Sequence, residues 1–219
     1  MERLTDVLRR DADCIWRRIF EHRFVLELYR GVLPLEKFKY YVIQDYSYLI
    51  GVLRAFSLVA AKADYETARF AVEIAYLDAT IEMENYVKLL DKLGLRLEEV
   101  VDVEPAPTTT AYVNFLISIC ALGTPLECLV SVLPCFWTYM EIAERHKSLL
   151  KENRNELYRS WAEVYLSDEY KSLVVKLRNA VDRLWSGAGY DKLKRLFLTG
   201  SRYEWMFWDM AYKMEKWPV

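Results

Sequence analysis

The chain has 219 residues, 53% hydrophobic, 28% charged and 15% aromatic, with 30 Lys and Arg against 32 Asp and Glu. A formal charge of -2 excludes recruitment of nucleic acid or an anionic membrane by net charge, and 7 Gly and 6 Pro leave few breakers to divide a core. One domain over 1–219 is expected, its partners chosen by shape and local chemistry; 16 Tyr and 7 Trp suit a pocket for a planar ligand or a subunit interface.

Residues 1–20 set charges on one face and Leu4, Val7, Leu8, Ile15, Trp16 and Ile19 on the other, which predicts an amphipathic helix. A short helix leads to Gly31, and Leu33-Pro34-Leu35-Glu36 restarts the chain with proline and an acid in the first turn. From there to Ala63 runs a long helix, apolar around much of its circumference and expected to be central. Asp64-Tyr65-Glu66 caps a helix that Gly94 ends, and residues 95–109, with Pro105 and Pro107, read as a loop. Helices follow over 109–122 and 125–151. Another spans 155–186 with a bend at Ser167-Asp168, and after Gly187-Ala188-Gly189 a last one runs over 190–216, loosened at Gly200-Ser201. No alternating strand pattern with hairpin chemistry is present, so the fold class is all-α. The charge-poor region Ala111–Met140 is interrupted by Gly123-Thr124-Pro125, Glu127 and Pro134; a membrane span needs about 20 uninterrupted apolar residues, so this reads as two buried helices.

Cys14, Cys120, Cys128 and Cys135 form no CxxC pair, and the N-terminus lacks a secretory signal pattern, which predicts a cytoplasmic protein with free thiols. Cys135 follows Pro134 inside an apolar, aromatic helix, where the missing backbone donor tends to kink the chain and open a wall beside the sulfur. Tyr139 lies one turn later on the same side. Spacing alone favours the plainer role, a cysteine packed as a small hydrophobe.

Two acids are embedded in aromatics. Asp45 sits mid-helix in Tyr40-Tyr41-Val42-Ile43-Gln44-Asp45-Tyr46-Ser47-Tyr48, flanked on its own face by Tyr41 and Tyr48; an unpaired carboxylate there is costly, so it serves a planar ligand or is satisfied by a tyrosine or by Arg54. Glu204 shares a side with Phe207 and Trp208, and burial among rings raises a carboxyl pKa towards proton-donor use; simple packing of an aromatic helix fits the same spacing. Neither histidine belongs to a Glu-x-x-His pair, since Ile19 precedes His22 by three and Ala143 precedes His146 by three, so a di-iron site is not expected. Walker and dinucleotide glycine patterns are absent, and no metal or cofactor is expected.

In this order the segments His22-Arg23-Phe24-Val25, Tyr41-Val42-Ile43-Gln44-Asp45-Tyr46-Ser47-Tyr48-Leu49, Thr110-Ala111-Tyr112, Leu133-Pro134-Cys135-Phe136-Trp137-Thr138-Tyr139 and Tyr203-Glu204-Trp205-Met206-Phe207-Trp208-Asp209-Met210-Ala211 resemble the TenA family, also called thiaminase II or aminopyrimidine aminohydrolase, in its cysteine-bearing branch. The resemblance covers nearly the whole chain and implies a haem-oxygenase-like helical fold. It implies that Cys135 is the nucleophile, Asp45 grips the aminopyrimidine edge and Glu204 protonates the leaving group. Tyr48, Tyr112, Tyr139 and Phe207 would line the pocket, with Tyr165, in Trp161-Ala162-Glu163-Val164-Tyr165, as a further substrate-binding tyrosine. The implied reaction is hydrolysis of 4-amino-5-aminomethyl-2-methylpyrimidine to the hydroxymethylpyrimidine in thiamine salvage, with cleavage of thiamine itself, by a homotetramer. Two other classes share such a scaffold: a non-catalytic, regulatory pyrimidine-binding oligomer, and a haem-binding relative ligated by His22.

Overall fold

The computed structural model describes residues 2–219, which contain helices and no strand. In chain order they are α1 (Leu4–Asp11), α2 (Asp13–Phe20), α3 (Arg23–Tyr29), α4 (Leu35–Lys62), α5 (Tyr65–Leu77), a π-helical turn (Asp78–Glu82), α6 (Met83–Leu93), α7 (Leu97–Val101), α8 (Pro107–Leu122), α9 (Pro125–Glu152), α10 (Glu156–Glu163), a 3-10 turn (Val164–Leu166), α11 (Asp168–Leu184) and α12 (Tyr190–Lys213). The long helices α4, α9 and α12 pack on one another around a continuous apolar cluster, with α8 closing one side and α5 covering the outside of α4. Layered helices around one core satisfy the requirement that each amphipathic element hide its stripe against another. α9 has the length and apolarity to cross a membrane, and 67% of its most apolar window is buried among the other helices.

The expected boundaries hold where a cap or breaker marks them. Asp64 accepts the Thr67 amide at 3.0 Å to start α5, Gly94 ends α6 at φ 68°, and Thr124 with Glu127 closes a capping box at the start of α9. Four readings are corrected. The first helix is two, broken at Ala12, so that α1 turns its apolar side to α11 and α12 while α2 meets α9 and α12. The loop at 95–109 contains α7, fixed by the Glu99 carboxylate accepting the Arg96 amide at 3.0 Å and by buried Val100. The bend at 167 is a complete break, because Ser167 Oγ accepts the Tyr170 amide and starts a new helix there. At Gly200 the last helix is not loosened: α12 runs through it, and the absent side chain lets α9 approach, since a Cβ there would lie 2.6 Å from the Ser131 carbonyl oxygen. Ser201 accepts the Trp16 indole N–H at 2.9 Å, tying α2 to the same point.

The cysteines also depart from expectation. Cys120 and Cys128 are joined as a disulfide, leaving Cys14 and Cys135 free. The turn at Gly123-Thr124 folds the end of α8 back onto the start of α9 and brings the two Cα atoms to 4.8 Å, within bridging range. Unpaired thiols therefore no longer argue for a reducing compartment.

Candidate active site

Four helices deliver one side-chain set to the centre of the fold. α4 contributes Asp45 and Tyr48, α8 Tyr112, α9 Cys135 and Tyr139, and α12 Glu204 and Phe207; these seven line a cavity of about 10 Å³, room for roughly one water molecule. Local sequence explains the convergence. Spacings of three and four residues hold Asp45 beside Tyr48 and Cys135 beside Tyr139 on single helix faces. Buried Gln44, next to Asp45, accepts the Ala106 amide at 2.8 Å and the Thr109 hydroxyl at 2.9 Å, which fixes the start of α8 against α4 and so places Tyr112.

The polar groups form a chain. The Tyr112 hydroxyl donates to Glu204 Oε1 at 2.5 Å, the Tyr48 hydroxyl donates to Tyr112 at 3.3 Å, and the Cys135 thiol lies against the Tyr48 hydroxyl. Thr138, one turn beyond Cys135, donates to the Cys135 carbonyl at 3.3 Å and stands close enough to Glu204 to favour its ionised form. Aromatic rings hold these atoms in register: Tyr112 lies between Tyr48 and Tyr203, each with its ring centre 4.9 Å away, and Phe207 sits 5.7 Å from Tyr48 and 5.8 Å from Tyr41. The Tyr41 and Tyr139 hydroxyls share a hydrogen bond at 2.8 Å.

Burial sets the charge states. Desolvation raises Glu204 to about 7 against the pull of its Tyr112 and Thr138 hydrogen bonds, leaving a carboxyl that both takes and gives a proton near neutral pH. Asp45 lies well above the usual carboxylate range, first through desolvation and then through repulsion by Glu82, Asp78 and Glu204. It makes no ion pair or hydrogen bond among the described residues, and Arg54, offered as a partner by the sequence, is exposed. Desolvation and the Glu204 charge raise the Cys135 thiol, with Tyr48 opposing them. The resting nucleophile is therefore protonated, and its activation needs an acceptor for that proton. Cys135 and Asp45 line the cavity and are each half-buried.

The histidines are occupied elsewhere. His22 Nδ1 accepts the Phe24 amide at 3.2 Å and Nε2 lies 3.6 Å from Asp209, so the ring caps α3 and offers no free nitrogen to a haem iron. Among the described residues no cluster of His, Cys, Asp and Glu is arranged to hold a metal.

Residues 9–214 match the model of the TENA/THI-4/PQQC family. The chain belongs to that family. It is 34% identical over 210 residues to a protein of Halalkalibacterium halodurans named aminopyrimidine aminohydrolase, covering 94% of each chain. It is similar to the solved TenA homologue from P. horikoshii OT3, with TM-score 0.95 and 48% identity over 97% of this chain and 99% of that one. A domain from Shewanella denitrificans OS217, described as having a heme oxygenase-like fold, superposes with TM-score 0.80 at 15% identity over 98% of this chain and 94% of that one, which places the fold in that class.

Not every residue suggested for this TenA-type pocket touches it. Tyr165 packs behind Tyr139 with ring centres 4.9 Å apart and is flanked by Trp161 and Tyr170, so it supports the wall instead of lining the cavity. The sequence reading missed the acids Asp78 and Glu82, whose charges act on Asp45. In a regular helix they read as part of a solvated face, and the π turn that carries both has no sequence signal of its own. It also gave no role to Thr138, whose position one turn after Cys135 was visible.

Proposed function

We propose that this chain is an aminopyrimidine aminohydrolase that converts 4-amino-5-aminomethyl-2-methylpyrimidine to the hydroxymethylpyrimidine and ammonia, and also cleaves thiamine, in thiamine salvage. The observation that carries the reading is a free thiol, a carboxyl poised at about 7 and a second acid raised well above its usual range on one aromatic cavity of a TenA-family chain. The name of the Halalkalibacterium relative supports it. The cavity is smaller than a pyrimidine, so binding moves the lining rings apart.

The residues then divide the work. Protonated Asp45 offers one O–H donor and one carbonyl acceptor, matching a ring nitrogen and the exocyclic amine of the aminopyrimidine edge. Ionised Glu204 takes the Cys135 proton through the Tyr48 and Tyr112 hydroxyls, and the thiolate adds to the electron-poor ring. Protonated Glu204 gives that proton to the aminomethyl nitrogen, which leaves as ammonia while the adduct's electron pair forms an exocyclic double bond to the methylene. Water adds to the methylene carbon and its spare proton returns to Glu204. Expulsion of the thiolate restores the aromatic ring, and Glu204 returns the proton to sulfur. The enclosing rings exclude bulk water, so the proton stays on this path. The closed cavity thus stores the nucleophile in its inactive, protonated form until substrate arrives.

We further propose that the protein works as a homo-oligomer, as its aromatic content and the resemblance imply, and as a cytoplasmic one. The enzymatic reading is tested by incubating the purified protein separately with aminomethylpyrimidine and with thiamine and separating products by chromatography. Hydroxymethylpyrimidine with stoichiometric ammonia from the first substrate supports it. Tight binding of the pyrimidine without turnover makes the protein a binding module instead.

A further inference from the structure

α5 buries Thr67, Ala71, Ile74 and Ala75 and leaves its outer face without a partner. On that face Tyr65 is 83% exposed, Val72 56% and Tyr76 65%. Offsets of seven and eleven residues place the three on one stripe at 3.6 residues per turn. A stripe of two tyrosines and a valine on one helix is more than the scattered apolar exposure of an ordinary surface. Arg69 and Glu73 flank it on the side towards α11, at the edge of a groove of about 300 Å³ whose lining includes Phe70 and Ala180. The other cations of this groove are paired, Lys176 with Glu73 at 3.3 Å and Arg183 with Glu66 at 3.5 Å and Asp64 at 3.7 Å. Arg69 has no carboxylate partner among the described residues.

We propose that this face binds the same face of a second copy of the chain, α5 against α5, antiparallel about a twofold axis beside Ala71. The proposal rests on the self-association stated above and names its surface. The argument is self-complementarity. An axis at that level sets Tyr65 opposite the partner's Tyr76 and Arg69 opposite the partner's Glu73, and symmetry repeats both contacts. A twofold perpendicular to both helices keeps each flank on its own side, so Arg69 and Glu73, which share a flank, meet each other across the interface. A parallel pairing about a twofold along the helices would carry each flank to the opposite side, so Arg69 and Glu73 of one copy would face neither of these residues in the other, and neither charge pair would form. The tyrosines supply the aromatic, half-polar surface that interfaces favour, and the unpaired Arg69 gains its carboxylate.

The test is sedimentation velocity on Arg69→Glu, on Glu73→Arg and on their equimolar mixture, beside the wild-type protein of 26.0 kDa per chain. All substituted side chains are exposed and none lines the active-site cavity, so circular dichroism and hydroxymethylpyrimidine formation serve as controls for folding. The wild type is expected as an oligomer. Each single variant sets like charges face to face and loses this contact, falling to half the wild-type mass or less, with affinity reduced at least about tenfold. The mixture restores the wild-type mass, because the acid introduced in one variant then meets the base introduced in the other, and the Arg69 and Glu73 that remain meet as in the wild type. Val72→Glu, at the centre of the stripe, dissociates without rescue. Single variants that sediment as the wild type, or a mixture that stays dissociated, overturn the surface while leaving self-association intact. A monomeric wild type overturns both.

Discussion

Removing one oxygen from Tyr112 tests the proton path. Tyr112 is 1% exposed and donates to Glu204 Oε1 at 2.5 Å, so phenylalanine keeps the packing and deletes the donor. A hydrogen bond to a charged group is worth about 1.5–3 kcal/mol, and one pKa unit corresponds to about 1.4 kcal/mol, so its loss raises Glu204 by roughly one to two units from about 7. Because Glu204 must be ionised to take the Cys135 proton, kcat/KM rises through this pKa, and the acid limb of the pH profile moves upward in Tyr112→Phe. At pH 7 the ionised fraction falls about five- to fiftyfold, and the break from Tyr48 to Glu204 adds a pH-independent loss. The assay is hydroxymethylpyrimidine formation between pH 5.5 and 10, with kcat/KM fitted for the free enzyme. An acid limb that stays within about 0.3 unit of the wild type, or moves down, refutes the link between Tyr112 and Glu204.

Glu204 also makes stability depend on pH. Its folded value of about 7 exceeds the ordinary 4.5, so the folded state binds the proton more tightly, and stability present below pH 4.5 is lost as pH rises towards 7. The loss is about 3 kcal/mol, and Glu204→Gln removes it; denaturant melts at pH 5 and 8 that show the same dependence in both proteins contradict this. Reducing the Cys120–Cys128 bridge releases a loop of eight-residue separation, at a cost of roughly 2–3 kcal/mol, so the midpoint of thermal unfolding drops by several degrees with reductant; an unchanged midpoint, with thiol counting to show reduction, removes the bridge from the stability account. Asp45→Asn keeps one donor and one acceptor and should hold pyrimidine affinity within about tenfold, whereas Asp45→Ala loses both and weakens binding by at least about a hundredfold; equal losses in calorimetry would mean that Asp45 binds as a carboxylate.

The helical order was legible because caps and breakers announce themselves: Asp64, Gly94, Thr124 with Glu127, and the glycines after Leu184 each mark a boundary. Short elements were not, since five residues of α7 carry too little periodicity to separate from a loop. Asp45, Cys135 and Glu204 stood out as polar groups in apolar helices, and the fold brings all three to one cavity. What spacing within a helix could not give was contact between helices. The Tyr48–Tyr112–Glu204 chain joins α4, α8 and α12, and the Cys120–Cys128 bridge forms because a turn reverses the chain between them. Gly200 looked like a flaw in α12, because only the neighbouring helix shows that its empty side is filled by the Ser131 carbonyl.

The account depends most on Cys135, and the most direct measurement is turnover of aminomethylpyrimidine by Cys135→Ser beside its affinity for the same ligand. Serine changes one atom and leaves the Asp45 edge and the aromatic walls in place. Covalent catalysis predicts affinity within about tenfold of the wild type and turnover lower by roughly three orders of magnitude or more. Hydrolysis by Cys135→Ser at near wild-type rate would contradict it, and the thiol would then be a packing residue in a site that works without a nucleophile.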